Sequence, residues 1–511
     1  MSNQTDMIDD AGYDFDDIQG LVRFGNGHLS EACFLLLQIR DVSAAREWLR
    51  TVSVSTAAKT GPRPDKALHV AFTAAGLRAL EVPESVINDF SEEFIAGMSG
   101  DENRSRRLGD TGNNMPVNWD WGHTDVPHVL LLLYAQAGGL QDGVATIKGS
   151  GFADAFEIQK SLDTQTLGPN EPFGFADGIS QPETDWQDQL STDLHQRDRY
   201  SNKLKVGEIL LGYRNEYGLY TDRPLLDPKV VPHAETLPVA EDDPDRRDLG
   251  RNGSYLVMRQ LSQDVPGFWQ FIDQASGGAA PERERLAAEM VGRQRDGTPL
   301  TSEPARSVGN NKSGDAPASN QFNFDGDPFG HRCPIGAHIR RTNPRTGDFP
   351  PGVTGLISRL VRMLGFGQRH PNDDLIASAR FHRLLRRGRA YGPAISPEDA
   401  VKKDAPTAER GLHFICIGAN ILRQFEFVQD AWITNTRFAG LNGESDPLLG
   451  NREPLLSGEP TDRFTLPKKD APARCISGLP QFVTVRGGAY FFMPGIKALR
   501  FIATQPDGKN N

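Results

Sequence analysis

The chain has 511 residues, 38% hydrophobic and 24% charged, with Lys+Arg 56 against Asp+Glu 67 and a net charge of −11. That composition excludes wholesale disorder, and a length about three times that of one domain predicts two domains or one duplicated unit. The longest apolar run, residues 129–134, is far short of the roughly 20 residues that cross a bilayer, and an acidic chain without a basic block suits neither nucleic acid nor a membrane.

The acidic opening segment, residues 1–20, lacks the basic start and apolar stretch of a secretory leader. The four cysteines, Cys33, Cys333, Cys416 and Cys475, lie far apart with no CxxC pair. Both features predict a cytoplasmic protein with reduced thiols. One rhythm then recurs along the chain: a short apolar run that reads as a strand, followed by an amphipathic segment that reads as a helix. It occupies residues 31–52, 67–82, 127–147, 253–273 and 411–432, and a last strand falls within 481–495. Asp41 and Asp264 stand where helix N-caps are expected. Helices between strands fit a parallel sheet, and equally the βαββαβ ferredoxin-like unit with its antiparallel sheet. The matching rhythm of the two halves suggests duplication and an α+β fold. Long stretches rich in Pro, Gly, Asp and Asn cover residues 235–250, 297–330, 347–374 and 441–473. The first marks a domain boundary, dividing the chain into 1–240 and 241–511.

Three segments carry chemistry. In "EPFGFADGISQP" (171–182) Asp177 sits among glycines and apolar residues, where burial would raise its pKa and suit it to proton transfer; the plain alternative is a loop aspartate capping its own turn. In "HRCPIGAHIRRTNPR" (331–345) His338 has no second ligand at metal-cage spacing. A single imidazole is enough for haem, since the porphyrin supplies the other donors, and Arg340, Arg341 and Arg345 are then placed to neutralise propionates. In "FHRLLRRGRAYGP" (381–393) the pair Arg386 and Arg387 is either a surface face or an anion-stabilising site.

These pieces, in this order, resemble a dye-decolorizing (DyP-type) peroxidase. Gly174, Asp177 and Gly178 match the GxxDG signature, and "DDIQGLVRFGNGHL", "GEILLGYRNEYG", "LGRNGSYLVMRQL" and "RQFEFVQDAW" extend the likeness over nearly the whole chain. The resemblance implies two ferredoxin-like halves with one haem b per chain, held mainly by the C-terminal half. It implies His338 as the axial iron ligand, Asp177 as the distal acid–base and Arg386 as the distal arginine, with Arg387 as fallback. Arg345 and Arg340 become propionate contacts, and Gly178 part of the cofactor site. Asn420 stands where relatives carry an aspartate bonded to the axial histidine, so Glu426, or else Asp430, is expected to supply that carboxylate. The implied reaction uses hydrogen peroxide to form a ferryl intermediate that oxidises dyes, phenolics and other one-electron donors. An acidic optimum of about pH 4–5 follows from a modest desolvation of Asp177. Trp432 and Tyr391 are the candidate relays from the surface for bulky donors. His338 and Arg386 are 48 residues apart because of an insertion between them. The competing reading is a haem-binding or haem-processing protein of the same superfold, which needs neither Asp177 nor Arg386. Small aromatic reductants are the expected partners, with room for a homo-oligomer.

Overall fold

A computed structural model describes residues 12–59, 61–149, 151–191, 201–301, 320–347 and 379–504. The insertion between His338 and Arg386 falls largely outside the described residues.

The first half is built on strands that are apolar on both faces. In β1 (Glu31–Ile39), β2 (Lys66–Phe72) and β3 (Val129–Ala135) nearly every residue is buried, so the sheet must be covered on both sides. With β4 (Phe156–Asp163) they form an antiparallel array in the order β4-β1-β3-β2. The second half repeats this with β5 (Ser254–Gln263), β6 (Leu385–Arg386), β7 (Arg389–Tyr391), β8 (Gly411–Gly418) and β9 (Val483–Met493). Its order is β9-β5-β8, with β6 and β7 both on the outer edge of β8. Counting strands within each half, both read fourth, first, third, second, which is the ferredoxin-like order. The halves meet at Phe492 opposite Phe72, making one nine-stranded antiparallel sheet.

Helices cover one face. α1 (Val42–Thr51), α2 (Val265–Ser276), α3 (Ala280–Val291) and α5 (Ile496–Ala503) send Trp48, Leu49, Phe268, Trp269, Leu286 and Phe501 into one core, while α4 (His338–Thr342) lies beside it. Asp41 and Asp264 cap α1 and α2, accepting the amides of Ala44 (2.8 Å) and Gly267 (2.9 Å) as their sequence positions predict. The other face is closed by Ile18, Leu21 and Val22 and by the segment around Ile209–Leu210, packed on Phe34, Leu132 and Phe491. Among the described residues no helix is long and apolar enough to cross a membrane. The helix expected after β8 is wound in π fashion over Leu422–Glu426 and Val428–Thr434.

Candidate active site

Side chains on successive strand residues point to opposite faces, and this alternation builds the site. On the helical side of the second half, Arg259, Leu261 and Gln263 of β5, Leu412 and Phe414 of β8, and Val483 and Val485 of β9 line a cavity of about 250 Å³. Leu385 of β6 points to the opposite core, so Arg386 faces the cavity and Arg387 turns away. There Arg387 donates to the carbonyls of Leu21 (2.7 Å) and Val22 (3.0 Å). The fallback arginine is thus a tie between the sheet and the N-terminal segment.

The turn before β6 in space carries Asp177. Gly174 (φ 95°) and Gly178 (φ 78°) take left-handed conformations that side chains resist. Asp177 is held by its own N–H on Pro169 O (2.9 Å) and by an ion pair to Arg386 Nη1 at 2.9 Å. It lies deep in the molecule, yet 36% of its side chain faces open space, and that space is the cavity. Gln181 pins the strand beneath, its side chain donating to Arg386 O (3.1 Å) and accepting from Arg386 N (3.0 Å). Burial pushes the Asp177 carboxyl up, but the Arg386 guanidinium and the Gly178 N–H outweigh it and hold it below the usual carboxylate range. The raised value expected from burial alone is therefore reversed. A fixed cation at contact distance favours the charged form more than desolvation opposes it.

The opposing wall is helical. His338 opens α4 and lines the cavity, with its Nδ1 3.0 Å from Asp446 Oδ2. Asp446 is fully buried and its other oxygen accepts the amides of Leu448 (2.9 Å) and Leu449 (2.8 Å). Burial opposes its ionisation, yet His338, Arg341 and the Leu449 amide bring it down to about 2. A carboxylate so held fixes the imidazole's tautomer and orientation, leaving Nε2 for the cavity. Around it Ile339, Val428, Ile433, Leu448 and Leu449 are apolar. One free imidazole nitrogen, apolar walls and a carboxylate–guanidinium pair on the sheet side fit a flat apolar group with a single axial donor, as haem is.

Several expected site residues stand elsewhere. Glu426 is not the histidine's partner: its carboxylate accepts from Tyr490 Oη (2.9 Å) and pairs with Arg104 Nε (2.9 Å), satisfying charges buried behind the π-helical stretch. Asp430 is exposed near Arg107, and the position beside His338 Nδ1 belongs to Asp446. Asn420 accepts from Arg423 N (2.7 Å) and so starts the π stretch. Arg340 is no propionate contact either, because its guanidinium is spent on Asp327 Oδ2 (3.3 Å), Asp327 O (2.9 Å) and Cys333 O (2.8 Å), closing the loop before α4. Arg345 does reach the cavity wall, held by the carbonyls of Asn320 and Phe322, each at 2.9 Å. Gly178 serves the turn, with open space where a Cβ would be. Trp432 is 6% exposed and packs edge-on against His382 and Phe427, so it is not a surface residue; Tyr391 stacks on His413 at 4.5 Å and is half-buried. Asp446 escaped the sequence reading because nothing local marks it beyond a place in a long Gly/Pro/Asp-rich loop.

No sequence profile of a protein family matches the chain. Individual relatives do. Dye-decolorizing peroxidase msp1 of Mycetinis scorodonius is 28% identical over 520 residues, spanning 96% of this chain and 88% of its own. Dye-decolorizing peroxidase AauDyP1 of Auricularia auricula-judae is 27% identical over 516 residues, 95% of this chain and 86% of its own. The multifunctional dye peroxidase DyP2 of an Amycolatopsis species is 33% identical over 260 residues, 48% of each chain. Among solved structures, a DyP-type peroxidase from Auricularia auricula-judae superposes with a TM-score of 0.69 at 25% identity, over 96% of this chain and 99% of that one. A dye-decolorizing peroxidase in complex with 2,6-dimethoxyphenol shares the fold with a TM-score of 0.69 at 22% identity, over 96% and 100%.

Proposed function

The chain belongs to the DyP-type dye-decolorizing peroxidase family of oxidoreductases, and from that premise we propose that residues 241–511 hold one haem b per chain on His338, with peroxide handled by Asp177 and Arg386. His338 would hold the iron through Nε2, because Asp446 keeps its Nδ1 side committed. Arg345, which lines the cavity where Arg340 does not, would be the arginine nearest a propionate. Haem, when bound, supplies the iron that takes two oxidising equivalents from peroxide and passes them on singly.

The chain's own residues manage the proton. The Asp177 carboxylate takes it from the inner oxygen of hydrogen peroxide and returns it to the outer one, so that the outer oxygen leaves as water. Arg386 keeps Asp177 ionised and offers positive charge where negative charge grows as the O–O bond breaks. Phenols and dyes are the proposed donors, as the dimethoxyphenol complex of a relative suggests. The observation that carries this reading is the 2.9 Å Asp177–Arg386 pair on the sheet wall of the cavity that His338 enters from its helical wall. A haem carrier has no use for that pair.

The test is the Soret change on adding peroxide to haem-loaded protein. Asp177→Ala should slow it by at least about 10²-fold, and an unchanged rate would overturn the role of Asp177. His338→Ala should lose protein ligation of the iron by electron paramagnetic resonance; a spectrum like that of the unaltered protein would overturn the axial assignment.

A further inference from the structure

One carboxyl group on the cavity wall has no part in the scheme above. Glu171 opens the segment that ends in Asp177, and its side chain gathers that segment into a knot. The carboxyl accepts the amides of Phe173 (3.0 Å) and Phe175 (3.1 Å) and the side-chain amide of Gln263 (2.9 Å) at the end of β5. Its backbone closes the same loop, donating to Phe175 O (2.9 Å) and accepting from Gly174 N (2.8 Å). Trp269 of α2 adds a bond from its indole N–H to Phe173 O at 3.0 Å. The knot is tied to the sheet on one side and to α2 on the other, two residues before Asp177. We propose that Glu171 is the positioning residue for Asp177: its carboxyl clasps the turn that presents the acid–base group, and its own proton sets the pH at which that group works best. This rests on the role of Asp177 proposed above.

The clasp exists in two forms near neutrality. Burial pushes the Glu171 carboxyl up to about 7, against the bonds from Phe173, Gln263 and Phe175, and the Asp177 charge adds to the rise. The neutral form still accepts amide N–H groups. The ionised form binds them more tightly but sets a second negative charge on the cavity beside Asp177. Other charges surround the turn. Arg386 pairs with Asp177, Arg293 holds Ser180 Oγ at 2.8 Å, and Arg295 reaches towards Gly174 O while lying near Glu284 and Glu398. Asp110 and Arg259, which line the same cavity, neutralise each other. The added negative charge raises Asp177's hold on the proton it must give back, so the neutral clasp supports the faster reaction.

The test compares haem-loaded wild type, Glu171→Gln, Glu171→Ala and Asp177→Ala. It measures the peroxide-driven Soret change from pH 5 to 9, amide hydrogen exchange over residues 171–178, and the infrared band of protonated carboxyl groups. In wild type the rate should fall about fivefold through pH 7, in step with loss of a carboxyl band. Glu171→Gln should remove both the step and the band while keeping the rate at pH 5 within about threefold. Glu171→Ala should speed exchange of the 173 and 175 amides by at least about tenfold. Where Glu171→Ala fails to fold, Glu171→Gln decides alone. A pH step that persists in Glu171→Gln, or unchanged exchange in a folded Glu171→Ala, overturns the assignment. If Asp177→Ala is slow while the Glu171 variants match wild type at every pH, only this inference falls. If Asp177→Ala is as fast as wild type, the proposed function falls with it.

Discussion

The two halves of the sheet have the same strand order, but the space between sheet and helices is used differently in each. In the first half Val129, Leu131 and Leu133 of β3 face the helices, and Trp48, Leu49, Phe152 and Phe156 fill that space. In the second half the corresponding face carries Arg259 and Gln263 among its apolar residues, and a cavity remains. Keeping polar groups there has an energetic cost: Asp110 and Arg259 are 1% and 2% exposed, and burial pushes the Asp110 carboxyl up to about 6 against the arginine's pull. One half is packed for stability, and the other gives up packing to hold a site. The same topology serves both because side-chain choice on one strand face, and not strand order, decides whether a pocket exists.

That contrast breaks down if mutations in one half do the work of the other. The largest expected effect is at the site: Arg386→Ala should slow the peroxide reaction by about 10²–10³-fold and leave the urea midpoint nearly unchanged. Leu131→Ala, in the packed half, should cost about 3 kcal/mol in urea unfolding without altering the Soret spectrum of the loaded protein. Arg387→Ala behaves like the packed half despite its place beside Arg386. It should cost about 2 kcal/mol through its lost backbone bonds, with peroxide turnover within about threefold of wild type. Asp446→Asn should lower the ferrous iron–histidine stretching frequency and reduce the peroxide rate by about 10–100-fold. Should Glu426→Gln do so instead, the structural assignment of the histidine's partner is wrong.

The smallest expected effects lie in the pH dependence of stability, and here the packed core and the cavity wall differ in sign. His69 on β2 is fully buried, and burial, with Arg387 adding, holds its imidazole down to about 3 from an ordinary 6.5. Between those values the unfolded chain binds a proton that the folded chain refuses, so stability falls as pH drops through that window. Glu171 acts oppositely: between 4.5 and about 7 the folded chain keeps a proton the unfolded one releases, so its contribution is lost as pH rises. Unfolding titrations should be flatter on the acid side for His69→Gln and on the neutral side for Glu171→Gln. For the reaction itself, the Arg386 guanidinium that lowers the Asp177 carboxyl moves the acid limb of the peroxide step to lower pH than burial alone suggests.

The strands and the first-half helix are legible because their apolar periodicity is local and strong, as in the leucine run of β3 and the aspartate cap of α1. Asp177, His338 and Arg386 are legible through the family resemblance of the short segments that carry them; on composition alone each has a plain structural reading. The partner of His338 is not. Asp446 lies 108 residues further on, and only the folded path of its loop brings its carboxylate to Nδ1. Glu426 looked better placed along the chain, but the π-helical stretch presents it to Arg104 and Tyr490.

By itself, the order of residues determined which segments become strands, that the two halves share one rhythm, and, through the family resemblance, which three segments meet around the cavity. Tertiary structure alone decided which of two adjacent arginines faces it, since that turns on the alternation of β6 against β8. It decided too that Asp177 is held ionised and that Asp446 braces His338. The facing of β6 depends on its pairing with β8 further along the chain, and the charges that hold Asp177 and brace His338 lie 209 and 108 residues away; local sequence carries no record of either.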